Sequence, residues 1–159
     1  MKARLITAAA IAALFLPAVK SASGRQPRLS ASCDASLWNH VYNPSRLQVV
    51  NSCVAATGVI EESDADDDGD QHFLLKLDPG QDRLLKEKNL KKKGGDLVVE
   101  IVCANRVKLK KARSACAGYV NHIAMPAVGA HVRVTGSYVV DTHNNWTEIH
   151  PVSQMQVIR

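Results

Sequence analysis

Apolar and β-branched residues alternate with polar ones through much of the chain from residue 47 onward. Such alternation over four to eight residues is typical of strands with one buried face. In the second of these runs Phe73, Leu75 and Leu77 share one face, and His72 and Lys76 lie on the other. The last run supplies one or two strands, and the pattern as a whole predicts five main strands, over residues 47–60, 72–78, 97–103, 130–141 and 146–158.

The segments between these strands are polar and carry turn or helix signals. Residues 61–70 are predicted to be an Asp-rich turn, residues 82–93 a short helix that ends at two glycines, and residues 104–118 a basic helical segment. Gly58 and Gly136 lie inside the two longest predicted strands, where glycine often marks a bulge or a sharp bend.

Long strands bent at glycines, with a helical connection between the third and fourth, predict an all-β fold with one or two short helices. The favoured architecture is a five-stranded Greek-key barrel of the OB type. The alternative is a disulfide-linked β-sandwich. The 159 residues leave room for one ordinary domain, which we place at residues 37–159 and expect to be a monomer.

The first 24 residues have the three parts of a secretory signal peptide. Lys2 and Arg4 form a positive start, an apolar run covers residues 6–19, and small residues follow. This run is shorter than the roughly 20 residues that span a bilayer as a helix, so we expect no transmembrane segment after cleavage. Residues 25–36 are polar and Ser-rich and are predicted to be a flexible arm. The protein is therefore expected to be exported, to the periplasm or the extracellular space.

Export also changes the charge. The whole chain has 20 Lys+Arg against 15 Asp+Glu, a formal charge of +5. Cleavage after Ser21 removes Lys2, Arg4 and Lys20, which leaves 17 basic residues against 15 acidic ones and a charge of +2. The general argument for a nucleic-acid partner loses most of its force.

Four cysteines in an exported chain favour two disulfides. The chain has no CxxC pair, which disfavours a zinc ribbon or a thioredoxin-type site. Three pairings are open, and proximity in sequence favours Cys33–Cys53 and Cys103–Cys116, because each would close a short loop.

Several segments together resemble a family of small exported bacterial proteins with an OB-like fold and no established activity. The resemblance covers most of residues 33–158, and its most specific part runs from Trp146 to Val152. It implies the fold and export but supplies no activity. The segments are His40-Val41-Tyr42-Asn43-Pro44-Ser45-Arg46-Leu47, Asp68-Gly69-Asp70-Gln71-His72, Leu97-Val98-Val99-Glu100-Ile101-Val102-Cys103 and Trp146-Thr147-Glu148-Ile149-His150-Pro151-Val152.

The same C-terminal segment carries the sharpest candidate site. Trp146, Glu148 and His150 alternate along one strand, so their side chains share a face, on the outside or in a groove. In an OB barrel the third strand lies between the second and the fifth. His72 and Glu100 could therefore meet Glu148 and His150 beside Trp146. The alternative is a hydrogen-bonded network that only braces the strands.

The acidic run offers a second candidate site, for Ca²⁺. Its opening matches that of an EF-hand loop, but the twelfth position, where a Glu is needed, is Leu75, and the flanking segments are strands. The EF-hand itself is rejected, and a weak Ca²⁺ site in a hairpin turn is retained as a prediction. Its ligands would be Asp64, Asp66, Asp68 and Asp70.

Two basic runs offer a third site, for an anionic polymer such as an oligonucleotide or a glycan. OB folds that bind single strands combine a basic groove with stacking aromatic residues. Aromatic residues make up only 4% of the chain, and none lies within the basic runs, so a solvated surface is the competing interpretation. The runs consist of Lys86, Lys88, Lys91, Lys92 and Lys93, and of Arg106, Lys108, Lys110, Lys111 and Arg113.

Three function classes follow from these sites. The favoured one is an exported binding module whose ligand lies on the face of Trp146, Glu148 and His150. The second is a hydrolase that uses a metal such as Zn²⁺ with His72, Glu100 and the same Glu–His pair. The third is a structural envelope or interaction protein. The chain contains no Gly-x-Ser-x-Gly motif and no Gly-rich phosphate loop, which disfavours the corresponding catalytic classes.

Overall fold

The computed structural model describes residues 32–159, which form a mostly β domain with few short helices, as predicted. The predicted signal peptide and residues 25–31 of the predicted arm lie outside the described residues. Four 3₁₀ helices occur at Ala35–His40, Pro44–Arg46, Asp82–Leu84 and Lys110–Ala112. The other elements are β1 (Leu47–Ala65), β2 (Gln71–Leu77), α1 (Glu87–Lys92), β3 (Leu97–Ile101), β4 (His131–Asp141) and β5 (Trp146–Val157).

The five strands belong to one sheet. β1 pairs antiparallel with both β2 and β4, β2 pairs antiparallel with β3, and β4 pairs antiparallel with β5. β3 and β5 are parallel. Because β4 returns to β1, the sheet closes into a barrel in the order β1-β2-β3-β5-β4. A single closed sheet differs from the two packed sheets that the sandwich alternative requires.

The interior of the barrel is filled by apolar side chains from all five strands. Phe73 and Leu75 of β2 belong to this core, as the alternation of that run predicts. Val99, Val134 and Ile149 are fully buried beside them. Burial of such side chains is the main favourable term in folding, at about 25 cal/mol per Å² of apolar surface removed from water.

The two strand glycines lie where a neighbouring backbone comes close. A Cβ atom on Gly58 would lie 2.2 Å from the carbonyl oxygen of Lys76. A Cβ atom on Gly136 would lie 2.4 Å from the carbonyl oxygen of Pro151, and the β4–β5 register shifts on both sides of Gly136. Only a residue without a side chain fits at these positions, so the predicted irregularities are close approaches between strands.

The turn predicted over residues 61–70 is shorter in the structure. β1 continues to Ala65, and Asp64 pairs with His72 across the hairpin. The chain reverses within residues 66–70, where the backbone N–H of Asp66 donates to the carbonyl of Asp70 at 2.9 Å. Residues 61–65, half of the acidic run, are therefore strand. All five are exposed, so polar side chains are tolerated on both faces of this part of the hairpin.

The helix predicted over residues 104–118 is wrong, and this segment contains turns and the 3₁₀ helix Lys110–Ala112. The backbone N–H of Asn105 donates to the carbonyl of Gly69 at 2.8 Å. Those of Lys108 and Leu109 donate to the carbonyl of Asp67 at 2.9 and 2.8 Å. These bonds to the β1–β2 turn take up donors that a helix would need. The α-helix of the domain lies instead between β2 and β3, inside the predicted 82–93 segment.

Both predicted disulfides are confirmed, Cys33–Cys53 and Cys103–Cys116. The first holds the end of the predicted arm against β1, and the backbone N–H of Asp34 donates to Ser153 Oγ at 3.0 Å. Two disulfides indicate an oxidising compartment, which is where exported proteins fold. Within residues 32–159, no helix has the length and apolarity that crossing a membrane requires.

Candidate functional site

Three neighbouring strands bring the predicted site residues together. His72 of β2 lies opposite Glu100 of β3, and Glu148 of β5 lies beside Val98 of β3. His72 Nδ1 is 3.2 Å from Glu100 Oε1, and the other carboxylate oxygen of Glu100 is 2.9 Å from His150 Nδ1. His150 Nδ1 is also 3.3 Å from Glu148 Oε2. The four side chains therefore form one continuous chain of contacts.

A polar cleft of about 260 Å³ opens above these side chains. The turn between β1 and β2 supplies Asp66 and Asp68 to one wall. The end of β4 and the turn that follows supply Asp141 and Asn144 to another. Arg46, immediately before β1, completes the rim and forms an ion pair with Asp141.

The strand that carries Trp146, Glu148 and His150 forms the floor of the cleft. Glu148 is 2% exposed and His150 5% exposed, so these charged groups lie beneath the surface. Trp146 is half-buried, and its indole N–H donates to Glu148 Oε1. Lys93 covers the Trp146 ring, with its ammonium 4.3 Å from the ring centroid and 3.4 Å from His72 Nε2. The site is thus a recessed groove and not an open face.

The charges in this floor stabilise one another. Burial alone would raise the pKa of Glu100, but His150 and His72 outweigh it and hold that pKa well below its usual range. Burial alone would lower the pKa of His150, but Glu100 and Glu148 raise it well above the ordinary value. Glu100 and His150 therefore form a buried ion pair. Glu148 behaves differently, because burial raises its pKa despite its hydrogen bond to His150.

The four acids of the predicted Ca²⁺ site point to different places. Asp66 faces His72, with its Oδ2 3.8 Å from Nδ1. Asp70 points inward, where its Oδ1 accepts the backbone N–H of Cys103 at 2.8 Å and burial raises its pKa to about 7. Asp68 Oδ1 accepts the backbone N–H of Asp70, and Asp64 lies exposed on β1. The structure thus does not gather these four carboxylates into one loop site.

The basic runs are partly engaged by local contacts. Lys86 donates to Asn145 Oδ1 at 2.6 Å, and Lys91 pairs with Glu87 one turn earlier. Lys108 is 3.3 Å from Asp67, so the second run contacts the acidic turn. Binding of an anionic polymer to the remaining basic residues stays a prediction.

Sequence reasoning did not assign several side chains to the cleft, among them Arg46, Lys93 and Asp141. The sequence places Lys93 in a basic run, whereas the structure places it after α1 and over Trp146. Arg46 lies in one of the segments that carry the family resemblance and Asp141 ends the fourth predicted strand, but neither residue has a predicted role. No local sequence signal links that pair, because Arg46 and Asp141 are 95 residues apart and meet only where Leu47 pairs with Asp141 at the ends of β1 and β4.

The donor atoms suit a metal ion as well as an organic cation. One group consists of Asp66, His72 and Glu100, and a second of Asp70, Glu100 and His150, with one donor atom from each residue within 4.8 Å of the others in its group. Imidazole and carboxylate together suit Zn²⁺ and related ions. No protein-family model matches this chain, and no curated protein matches it.

Proposed function

We propose that the protein is an exported binding module of the OB type whose ligand occupies the cleft over Glu148 and His150. OB folds bind ligands on the face of strands two and three and with the loops between strands one and two and strands four and five. Here the cleft joins His72 of β2 and Glu100 of β3 to the β1–β2 and β4–β5 turns. This placement is the observation that carries the proposal.

The closed strand order and the parallel β3–β5 pairing support the OB assignment. The absence of an α-helix between β3 and β4, among the described residues, is a departure from the expectation drawn from the sequence. The two disulfides and the predicted signal peptide support export. The motif segments add their resemblance to a family of small exported OB-like proteins.

The charge of the cleft favours a cationic ligand. Two basic side chains, Arg46 and Lys93, line the cleft with five acidic ones, so acidic groups outnumber basic ones even when His150 is counted as a base. A recessed acidic cleft concentrates cations near its floor. The carboxylates belong to Asp66, Asp68, Glu100, Asp141 and Glu148.

Bracing of the strands alone accounts poorly for this arrangement. Removing charges from water is expensive, and a buried ion pair is often no more stabilising than apolar side chains of the same volume. β3 and β5 already pair through their backbones beside Glu148. A ligand that interacts with the acidic groups explains why the barrel holds charged side chains at this end.

The test is a nuclear magnetic resonance titration of the full chain, isolated without a His tag and with both disulfides formed. The probes are Zn²⁺, Ca²⁺ and spermidine, with inorganic phosphate as an anionic control. We expect saturable shifts of the backbone amides that line the cleft with at least one cation and none there with phosphate. Shifts spread over the whole surface, or no saturable shift with any cation, would overturn the proposal and favour a structural role.

A matched pair of variants ties the shifts to the cleft. Glu148→Gln removes one carboxylate from the floor while keeping its shape, and we expect weaker binding of the same cation. Glu62→Gln removes an exposed carboxylate of β1 and is expected to leave binding unchanged. Equal binding by both variants would place the cation elsewhere.

A metal-dependent hydrolase is the second candidate. His150 contacts both Glu100 and Glu148 beneath an open cleft, and paired imidazole and carboxylate groups serve as acid and base catalysts. This candidate predicts turnover of a chromogenic phosphodiester or ester by the Zn²⁺-loaded protein, abolished by His150→Gln. Binding without turnover supports the module.

A further inference from the structure

Glu100 belongs to two groups of side chains that could hold a metal ion, at the end of the barrel beside the β1–β2 turn. Its Oε1 faces His72 and its Oε2 faces His150. Asp66 completes the group that faces the cleft, and Asp70 completes the group that faces the interior. We call these five residues the Glu100 cluster.

The outer group has the spacing of ligands around one ion. His72 Nδ1 lies 3.2 Å from Glu100 Oε1 and 3.8 Å from Asp66 Oδ2. Nitrogen and oxygen ligands of Zn²⁺ lie about 2.0–2.2 Å from the metal, so two of them are at most roughly 4.4 Å apart. All three side chains line the cleft, which leaves room for water or a further ligand on an ion bound there.

The inner side of the cluster holds two polar atoms without hydrogen-bond partners. Asp70 Oδ2 and His150 Nε2 are both buried and accept or donate no hydrogen bond, although they lie 3.7 Å apart. The side chains are 2% and 7% exposed. Buried polar atoms are rarely left this way in proteins, and an ion or a water molecule nearby is a common reason. The cluster therefore has more donor atoms than the protein itself satisfies.

We propose that the Glu100 cluster binds one divalent transition-metal ion of the Zn²⁺ class through Asp66, His72 and Glu100. This inference rests on the proposed function, because it names the cation that the cleft takes. One imidazole with two carboxylates favours such an ion over Ca²⁺, which prefers six to eight oxygen ligands.

His150 is a positioning residue for this site. Its Nδ1 holds Glu100 Oε2 at 2.9 Å, which turns Oε1 toward His72 and the cleft. Glu148, two residues earlier on the same face of β5, in turn holds His150, with its Oε2 3.3 Å from Nδ1. Groups of this kind behind a metal ligand fix its orientation, and losing one costs roughly 10–100-fold in metal affinity.

The experiment is a titration of the metal-free, untagged full chain with Co²⁺, followed by displacement with Zn²⁺. Co²⁺ reports its ligands through visible absorption. We expect one Co²⁺ per chain, a visible spectrum without thiolate bands, and displacement by Zn²⁺ but not by excess Ca²⁺. Calorimetry with Zn²⁺ gives the affinity.

Variants locate the ion. Asp66→Asn and Glu100→Gln are expected to abolish the Co²⁺ spectrum, and His150→Gln to weaken binding by roughly 10–100-fold while keeping the shape of the spectrum. Asp64→Asn removes a carboxylate two residues from Asp66 and outside both groups, and is the matched control. Asp66 is 46% exposed, so its variant tests the site even if the Glu100 variant does not fold.

The outcomes separate this inference from the proposed function. Co²⁺ binding that survives in both ligand variants overturns the metal site and leaves the binding module standing. The same conclusion follows if Co²⁺ does not bind while spermidine or Ca²⁺ still shifts the cleft amides. Failure of Co²⁺, Zn²⁺, Ca²⁺ and spermidine all to bind overturns both. The metal site is supported if the Co²⁺ spectrum is lost in Asp66→Asn and Glu100→Gln but kept in Asp64→Asn.

Discussion

The same three strands build two very different regions. Alternate residues of β2, β3 and β5 point into the apolar core, where Phe73, Val99 and Ile149 are fully buried. Their immediate neighbours in sequence form the floor and lower wall of the charged cleft instead. These neighbours are His72, Glu100 and Glu148.

The difference between the regions is energetic. Apolar burial stabilises the barrel directly, whereas buried charges must first be removed from water and are only partly compensated by their partners. Glu100 and His150 recover some of this cost through their 2.9 Å contact. Asp70 Oδ2 recovers less, because it accepts no hydrogen bond and lies 3.7 Å from His150 Nε2. The core thus explains why the chain folds, and the cleft is the region whose composition calls for a function.

The largest effect is expected on the core side. Phe73→Ala deletes a fully buried ring and is expected to lower the free energy of unfolding by roughly 3–5 kcal/mol. Urea unfolding with the disulfides intact measures the change. Leu90→Ala on the exposed face of α1 is the control and is expected to change stability by about 0.5 kcal/mol or less. A loss under about 1 kcal/mol for the ring deletion would contradict the assigned core.

Replacing the charged side chains of the cleft floor is expected to leave the free energy of unfolding unchanged or to raise it, the opposite of the effect of Phe73→Ala. The fourfold variant Asp70→Asn, Glu100→Met, Glu148→Met and His150→Leu replaces the buried ionic groups without leaving an unpaired charge. Its stability is expected to equal that of the wild type or exceed it by roughly 1–4 kcal/mol, while cation binding is lost. A large loss of stability in urea would show that the network serves mainly to brace the strands.

The rim of the cleft should give a smaller effect that depends on pH. Burial alone would raise the pKa of Asp141, but Arg46 and the hydrogen bonds from His143 and Asn144 outweigh it, so the folded-state pKa lies below the ordinary value. The stabilisation is therefore complete above the unfolded pKa of about 3.9 and is lost as the pH falls through the folded value.

Unfolding measured from pH 6 downward tests this sign. We expect wild-type stability to fall more steeply in acid than that of Asp141→Asn, by on the order of 1 kcal/mol or less, because Arg46 is 43% exposed and solvent weakens its pairing. Parallel curves for the two proteins would contradict the assignment.

The alternation of polar and apolar residues, taken with the strand order of an OB barrel, predicts which side chains of β2, β3 and β5 meet. His72, Glu100 and Glu148 occupy the same phase of their strands, and strand pairing then fixes their distance. The disulfides were predictable for a similar reason, since each links cysteines close in sequence. These features could be predicted because they depend on the alternation within each strand and on closeness in sequence.

The parts that could not be predicted depend on contacts distant in sequence. Asp70 points inward because the backbone N–H of Cys103, 33 residues later, donates to it. The segment that follows Cys103 is not helical because its donors bond to Asp67 and Gly69. From composition alone, residues 61–70 are predicted to be an acidic turn and residues 104–118 a basic helix. Their contact with each other follows only from the folded barrel.

Lys93 offers the finest test of how the cleft handles charge. Its ammonium lies over Trp146 and 3.4 Å from His72 Nε2, on the other side of the imidazole from the proposed metal ligand Nδ1. A positive charge several ångströms from a divalent ion opposes its binding by about 1 kcal/mol even at the dielectric constant of bulk water, and by more where the surroundings are less polar. Lys93→Gln is therefore expected to raise Zn²⁺ affinity several-fold in calorimetry at low salt. Lys91→Gln, at an exposed lysine that pairs with Glu87, is the control and is expected to leave Zn²⁺ affinity unchanged. If Lys93→Gln instead lowers Zn²⁺ affinity, Lys93 helps to hold His72 for the ion. The acidic residues would then not be the sole determinants of cation binding.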